Sequence, residues 1–383
     1  KIPRRKLRAG SSPALGTKQY ESMKKKLVKI FFHTSADLES YNAQNVNGRE
    51  IASRLDPKKY RIYIISHTKN FDKKLLKKNI KIFFNPFKNK FLKRIYDLYL
   101  KISTKCDIHF YIRVYFEDSI FLFLKNLFLR KRFCVHMIEN TLPYPDASKQ
   151  YHRTSKFNAK ASNVMIPISR NVSRSAEDTY NIELKNVPII SIGVDTQLFF
   201  GSDSKKNNTR LKIISCGTLQ KRKRPEYFVE AAEKFPNCDF TWFGEGGLLN
   251  DLNSSIVSKS LANVCFKKNI NHNALSKEMS KSDIFLFPSY HEGFPKVIVE
   301  AMASGLPVIA FKDYLPEAIE HNKNGYIVSN KEEMLNSLEM LINNETLRNQ
   351  FSISAKERAK EYDWNKIVDK WDSFLTKAIS KTY

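Results

Sequence analysis

Short runs of β-branched, aliphatic and aromatic residues recur along the chain at 27–32, 60–65, 80–84, 108–112, 133–138, 164–168 and 187–191. Polar or turn-forming residues close off each run. Between the runs, apolar positions return every three to four residues, the spacing of an amphipathic helix. Strands alternating with helices in this way predict a parallel α/β sheet, because parallel neighbours need a crossover connection. The stretch 201–210, GSDSKKNNTR, has no apolar anchor and predicts a linker. A second series of runs follows at 211–216, 240–243, 264–266, 284–287, 307–311 and 325–328. The pattern therefore predicts two α/β halves, 23–200 and 211–361. Beyond them Trp364, Ile367, Val368, Trp371, Phe374 and Leu375 form a helical stripe, about 362–383, that must be buried.

At 383 residues and 42% hydrophobic, the chain has the material for two cores of ordinary size. Residues 1–22 carry no period and precede Met23, so they read as a leader or disordered segment outside the fold. They hold six basic residues and one acidic, which leaves +21 of the net charge of +26 on the remainder. Such an excess implies a polyanion or an anionic surface as partner, although a bias toward Lys, Asn and Ile accounts for it as readily. Position says more. Between 88 and 132, Lys88, Lys90, Lys93, Arg94, Lys101 and Arg132 are interleaved with Phe87, Phe91, Tyr96, Tyr99, Phe123 and Phe128. Basic and aromatic residues together suit a membrane surface rich in acidic lipid, and equally suit amphipathic helices with solvated lysines.

No apolar run reaches the ~18 residues of a membrane span; the nearest, 120–129, is interrupted by Lys125. Cys106, Cys134, Cys216, Cys238 and Cys265 are odd in number and scattered, mostly within predicted strands. They read as buried, reduced thiols, which points to the cytoplasm. None has the CxxC spacing or nearby His of a metal site.

Candidate chemistry concentrates at 290–305, YHEGFPKVIVEAMASG. Gly293 makes a turn, Pro295 suits the first position of a helix, and Val297, Ile298, Val299 and Met302 pack that helix down. The free N–H groups of its first turn attract anions, phosphates above all. Glu292 precedes the helix, and Glu300 lies about 9 Å along it at ~1.5 Å per residue, so the two carboxylates address different parts of one long ligand. Upstream, Gly217-Thr218-Leu219-Gln220-Lys221-Arg222-Lys223-Arg224 is a Gly turn followed by four consecutive cations, able to neutralise a diphosphate. Negative charge that develops on a departing nucleoside diphosphate is stabilised most by cations already fixed in place.

HEGFPKVIVEAMASGLPVIAF resembles the E-x7-E segment of retaining family-four glycosyltransferases. The resemblance covers about residues 24–378 and is strongest from Gly193 to Gly325. It implies the GT-B fold: two facing Rossmann-like domains with parallel sheets and a cleft between them, 23–200 on the acceptor side and 211–361 on the nucleotide-sugar side, with the last helix crossing back to the first. It also implies roles. Glu292 contacts donor-sugar hydroxyls, the backbone of Gly293, Phe294 and Pro295 approaches sugar and phosphates, and Glu300 binds the ribose.

The run after Gly217 resembles the family's G-R-L-x-x-x-K-G, with Lys223 at the Lys that holds pyrophosphate. Thr218 stands where the family has Arg, leaving Arg222 or Lys221 to take that part. Gly244 belongs to a G-x-G loop near the nucleotide, and the backbone from Lys267 to Ile270 is where the family reads the base. His136 is placed at a strand end against the donor sugar, though a lone His there is as often structural. Gly193, in a segment like the family's N-G-V-D-x-x-x-F, lines the donor site at best. Ser169 reads first as a helix N-cap. Asn47 and Gly48 are what remains of the family's Gly-rich turn on the acceptor side.

The activity implied is transfer of a sugar, with retention, from a nucleoside-diphosphate sugar, UDP favoured, to a hydroxyl of a glycan or lipid-linked glycan. The catalytic set is Glu292, His136 and Lys223. The setting implied is bacterial cell-surface polysaccharide synthesis, in the cytoplasm and at the inner face of the membrane. No metal or other cofactor is called for, the cations and helix dipole standing in, and no nucleic acid is expected as partner. The rivals are a basic nucleic-acid-binding protein, which the charge allows and no motif supports, and a glycan phosphorylase of the same architecture, which lacks a pyridoxal phosphate lysine signature.

Overall fold

The computed structural model describes residues 27–40, 43–112, 116–129, 132–140, 149–200 and 209–380. The segment 1–22 and most of the predicted linker lie outside the described residues.

The first half runs β1 (Val28–Ser35), α1 (Ala43–Arg54), β2 (Tyr60–Ser66), β3 (Ile80–Phe84), α2 (Lys90–Ser103), β4 (Ile108–Tyr111), α3 (Phe116–Phe128), β5 (Phe133–Ile138), α4 (Lys149–Ala161), β6 (Val164–Pro167) and α5 (Arg170–Tyr180). A short helix, α6 (Thr196–Phe199), leads to the second half: β7 (Lys212–Cys216), α7 (Pro225–Lys234), β8 (Asp239–Phe243), α8 (Leu249–Ser258), β9 (Val264–Lys267), α9 (His272–Ser280), β10 (Ile284–Phe287), α10 (Lys296–Ala303), β11 (Val308–Phe311), β12 (Gly325–Val328), α11 (Lys331–Asn343), α12 (Glu345–Ala359) and α13 (Trp364–Ser380).

Each half holds a six-stranded sheet whose described pairs are all parallel, in the orders β3-β2-β1-β4-β5-β6 and β12-β11-β10-β7-β8-β9. Parallel strands covered on both faces need apolar residues throughout, which is why β4, β10 and β11 are buried along their length. The first core, around Ile62, Phe110 and Met137, also takes Trp364, Ile367, Trp371 and Leu375 of α13. The last helix therefore completes the first lobe. Its chain crosses beside the outgoing one: Val194 N–H donates to Tyr362 O at 2.8 Å and Trp364 N–H to Val194 O at 3.2 Å. Gly193 lies against the Trp364 ring so closely that a Cβ there would sit 2.3 Å from it.

Three local expectations need correction. The run 187–191 forms no strand; one bond, Ile190 N–H to Pro167 O at 3.1 Å, ties it to β6, and Pro188 has no N–H to offer a ladder. Cys265 is exposed, because it faces outward on the edge strand β9; Cys106, Cys134 and Cys238 are buried and Cys216 partly so, and all five are free thiols. Pro295 stands at the N-cap of α10, one position before the helix starts.

Candidate active site

In the second sheet the connection order reverses at β7, between β10 and β8. A crevice opens at such a switch point beyond the carboxyl ends of the strands, where ligands of open α/β sheets bind. The loops after β7 and β10 meet there. Tyr290 N–H donates to Arg222 O at 3.0 Å, and Ser289 Oγ lies 3.1 Å from the same oxygen, which fixes the 288–295 loop to the Lys221–Lys223 turn.

That scaffold brings Lys223, Arg222 and Glu292 together. Glu292 Oε1 receives Lys223 Nζ at 2.6 Å, Arg222 Nη1 at 2.7 Å and Ser289 Oγ at 2.6 Å. Lys223 is buried over the Phe287 ring, 4.5 Å from its centre, and burial lowers its pKa while Glu292 raises it. Of the four consecutive cations only Arg222 and Lys223 reach Glu292. Arg224 turns away to stack on Tyr290 and Phe311, and Lys221 is exposed.

Glycine permits the loops around this cluster to nest. Gly217 has a φ of +145°, and a Cβ on Gly244 would lie 1.9 Å from Gly217 O, so the turns after β7 and β8 touch backbone to backbone. Gly244 N–H donates to Lys267 O at 2.9 Å, which extends the lacing to the turn after β9, where Ile270 packs half-buried on the lobe's core. Glu300, the fifth residue of α10, is buried; burial raises its pKa, opposed by His272, whose Nε2 is 4.0 Å away, and by Lys296.

The first lobe closes directly on this loop. Ser169 caps α5, accepting from Val172 N–H at 3.2 Å, and donates across the cleft to Gly293 O at 2.8 Å. Asn171 Nδ2 donates to Glu292 O at 3.0 Å. Phe294 packs into both cores, its ring 5.3 Å from that of Tyr362. Asn47 and Gly48 lie on helix α1 rather than in a turn. Gly48 lets α1 approach β1, a Cβ there meeting Thr34 at 2.9 Å, and Asn47 accepts from Lys296 Nζ at 3.3 Å.

Two residues change the reading of the first-lobe face. His136 is inside β5, two positions before its end, buried, with its Nδ1 unbonded among the described residues; burial holds its pKa down at about 4. No described contact joins it to Lys223 or Glu292. Glu139, which the sequence reading passed over, is the residue that follows the strand. Its carbonyl abuts Gly293, where a Cβ would lie 2.2 Å away, its Oε1 accepts from Asn47 Nδ2 at 2.9 Å, and burial raises its carboxyl to about 7. Counting to the last residue of the 133–138 run, rather than choosing the imidazole, would have found it. Lys296, half-buried between Asn47 and the Trp364 ring, had no sequence signal beyond its place after Pro295.

Comparison with known proteins places this geometry. Residues 199–358 match the family described as glycosyl transferases group 1. An uncharacterized glycosyltransferase of Haemophilus influenzae is 31% identical over 175 residues, 43% of this chain and 48% of that protein. The poly(ribitol-phosphate) alpha-N-acetylglucosaminyltransferase of Staphylococcus aureus is 32% identical over 158 residues, 39% of this chain and 32% of its own length. The chain thus spans a third to a half of these curated relatives. Among solved structures, Anabaena HepE in complex with UDP superposes with a TM-score of 0.75 at 17% identity, over 92% of this chain and 100% of that one. Residues 199–358, most of the second lobe, are thus similar to the group 1 glycosyl transferases, and the chain as a whole has the two-lobed GT-B fold.

Proposed function

We propose that the protein is a retaining glycosyltransferase that moves a sugar from a nucleoside-diphosphate donor, UDP favoured, to a hydroxyl of a glycan or lipid-linked glycan. The observation that carries this reading is the Lys223–Arg222–Glu292 cluster at the second sheet's switch point, beside the start of α10. Its cations are held in place by a carboxylate that a diphosphate can replace. A relative of the same fold has been solved with UDP.

On donor binding, Lys223 and Arg222 transfer from Glu292 to the diphosphate, and the first-turn N–H groups of α10 add their dipole. Glu292, released, accepts from sugar hydroxyls. Glu300 takes the ribose hydroxyls. Retention follows a front-face route in which the leaving phosphate takes the acceptor's proton as the glycosidic bond breaks, while the two cations stabilise the charge that develops on the departing oxygen. These groups do the work a metal would otherwise do. The bonds from Ser169 and Asn171 to the 292–293 backbone hold the lobes closed and keep water from the donor.

The acceptor is met at an anionic membrane surface on the cytoplasmic side, as part of surface polysaccharide synthesis. Among the described residues no helix is long and apolar enough to cross a membrane. The support for peripheral contact is the basic, aromatic face of the first lobe. The test is a thermal-shift panel of UDP, GDP, ADP and dTDP sugars: one nucleotide, UDP by this reading, raises the melting temperature and Glu300→Ala abolishes the rise. A flat panel overturns the assignment.

A further inference from the structure

Helix α2 packs Tyr96, Leu98, Leu100 and Ile102 on the first lobe, and two further stripes of it are unusual. One stripe, Lys90, Lys93, Arg94, Asp97 and Lys101, lines a cavity of about 340 Å³. The other, Phe91, Leu92, Ile95 and Tyr99, faces solvent, with Phe91 70% and Tyr99 58% exposed. A surface helix with an apolar face already packed on the core normally keeps its remaining face polar. Phe123, Leu127 and Phe128 of α3, the helix packed beside α2, are exposed as well, Phe128 at 76%. Single exposed apolar residues are ordinary, but seven on two helices that pack together mark a surface that meets something apolar.

The cavity lies where the first sheet has its own reversal of order, between β1 and β4. Its floor holds three carboxylates, Asp37, Asp97 and Asp118, against two cations, Lys101 and His67, with His33 kept neutral by burial. Asp118 Oδ1 sits 2.6 Å from Lys101 Nζ and 2.7 Å from His33 Nδ1, and His67 lies between Asp97, at 3.0 Å, and Asp37, at 3.4 Å. Burial lowers the pKa of His67, but the hydrogen bonds to Asp37 and Asp97 win and raise it. The mouth is cationic. Among the described residues Lys90 and Lys93 have no carboxylate partner, and the Arg94 Nε is 3.7 Å from Glu117 Oε2. Glu117 is buried, lines the same cavity, makes no hydrogen bond through Oε2 among the described residues, and is pushed by burial toward its neutral form.

We propose that this cavity holds the phosphate-bearing head of an amphiphile, gripped by Lys90, Lys93 and Arg94, while its apolar part lies along Phe91, Ile95 and Tyr99 of α2 and Phe128 of α3. The inference rests on the transferase reading, in which the amphiphile is the acceptor, presented from a bilayer at the first lobe. It adds where the head goes and why the helix faces as it does.

The experiment titrates the full chain, by calorimetry, with sn-glycerol 3-phosphate and with dihexanoylphosphatidylglycerol below its micellar concentration. UDP-induced thermal shift is read in parallel. The short-chain lipid binds at least tenfold tighter than glycerol 3-phosphate, Lys90→Glu with Lys93→Glu weakens both ligands, and Phe91→Ser with Phe128→Ser weakens the lipid alone. Because Phe91, Phe128 and Lys90 are exposed, their replacement leaves the fold intact, and the UDP shift is unchanged in every variant. Equal affinity for the two ligands overturns the apolar half and leaves a soluble phosphate as the ligand. No binding of either, with the UDP shift present, overturns the inference and leaves the transferase reading standing. Loss of the UDP shift in the unaltered protein strikes that reading instead.

Discussion

Lys223 Nζ lies 2.6 Å from Glu292 Oε1, the same oxygen that Arg222 and Ser289 reach. The site therefore satisfies its two cations internally, and under the proposed transferase reading a diphosphate competes with Glu292 for them. Glu292→Gln removes the competitor's charge while keeping a hydrogen-bonding carbonyl. Hydrogen bonds to charged groups contribute about 1.5–3 kcal/mol each, so UDP affinity rises by roughly tenfold in this variant while sugar transfer falls about a hundredfold or more. Lys223→Met shifts UDP affinity the other way, by a similar factor. Titration calorimetry with UDP distinguishes the two signs, and weaker binding in both variants would show that Glu292 does not restrain the cations.

Glu300 occupies a different position in the energetics. It is buried, its nearest ionic partner among the described residues is His272 at 4.0 Å, and burial raises its pKa. A buried carboxyl of this kind contributes little to the stability of the fold, because its desolvation is only partly offset. Glu300→Ala is expected to leave the melting temperature of the free protein within a few degrees of the original and to remove the rise caused by UDP. A fall of the free protein's melting temperature as large as the lost rise would identify a structural carboxylate.

Much of the fold was legible because parallel strands, buried on both faces, write themselves as unbroken apolar runs. The run 284–287 is β10 to the residue, and 133–138 is β5. The run 187–191 misled because apolar content marks burial and not pairing, and Pro188 cannot join a ladder. At the site, the cations and carboxylates were visible as types and spacings. What the spacing could not show was which of four adjacent cations turns inward: the left-handed conformation of Arg224, φ 45°, sends that side chain to an aromatic stack. Nor could it show Lys296, which meets Asn47 of the first half and the Trp364 ring.

Gly293 tests how closely the lobes must approach. A Cβ there would lie 2.2 Å from the Glu139 carbonyl, and since the obstacle is backbone it cannot swing aside. Gly293→Ala therefore forces the 292–293 loop and the first lobe apart and strains the Ser169 and Asn171 bonds that tie them. The cation cluster lies wholly on the second lobe. UDP binding is expected to survive within about tenfold, whereas transfer falls about a hundredfold, the scale associated with an ångström of misplacement at a reacting centre. Titration with UDP beside turnover of a UDP-sugar gives the comparison; equal losses in both would place the defect in the nucleotide site.

Ser169 offers a milder version of the same test. Its hydroxyl caps α5 and also reaches Gly293 O, so Ser169→Ala loses one cap, about 1 kcal/mol, together with one inter-lobe bond. Ser169→Asp restores a capping acceptor but cannot donate to a carbonyl. Stability is expected to recover in the Asp variant while transfer does not, and recovery of both in parallel would reduce Ser169 to a cap.

Glu139 gives stability a pH dependence of predictable sign. Its carboxyl is raised by burial from 4.5 to about 7, against the pull of Asn47 and Lys296. Between those values the folded protein keeps a proton that the unfolded chain has lost, so the contribution is complete below about 4.5 and disappears as pH climbs through 7. The full effect is about 3 kcal/mol at most. Glu139→Gln cannot ionise and escapes the loss. Urea unfolding of both proteins at pH 5 and pH 8 is therefore expected to move the stability difference toward the Gln variant by about 2–3 kcal/mol at the higher pH. His33 and His136, which burial lowers to about 4, act with the opposite sign: their neutral folded forms lose stability as pH falls from 6.5 through 4. Both are present in the two proteins and cancel in the difference, so a difference that does not change with pH would mean that Glu139 is already ionised in the folded cleft.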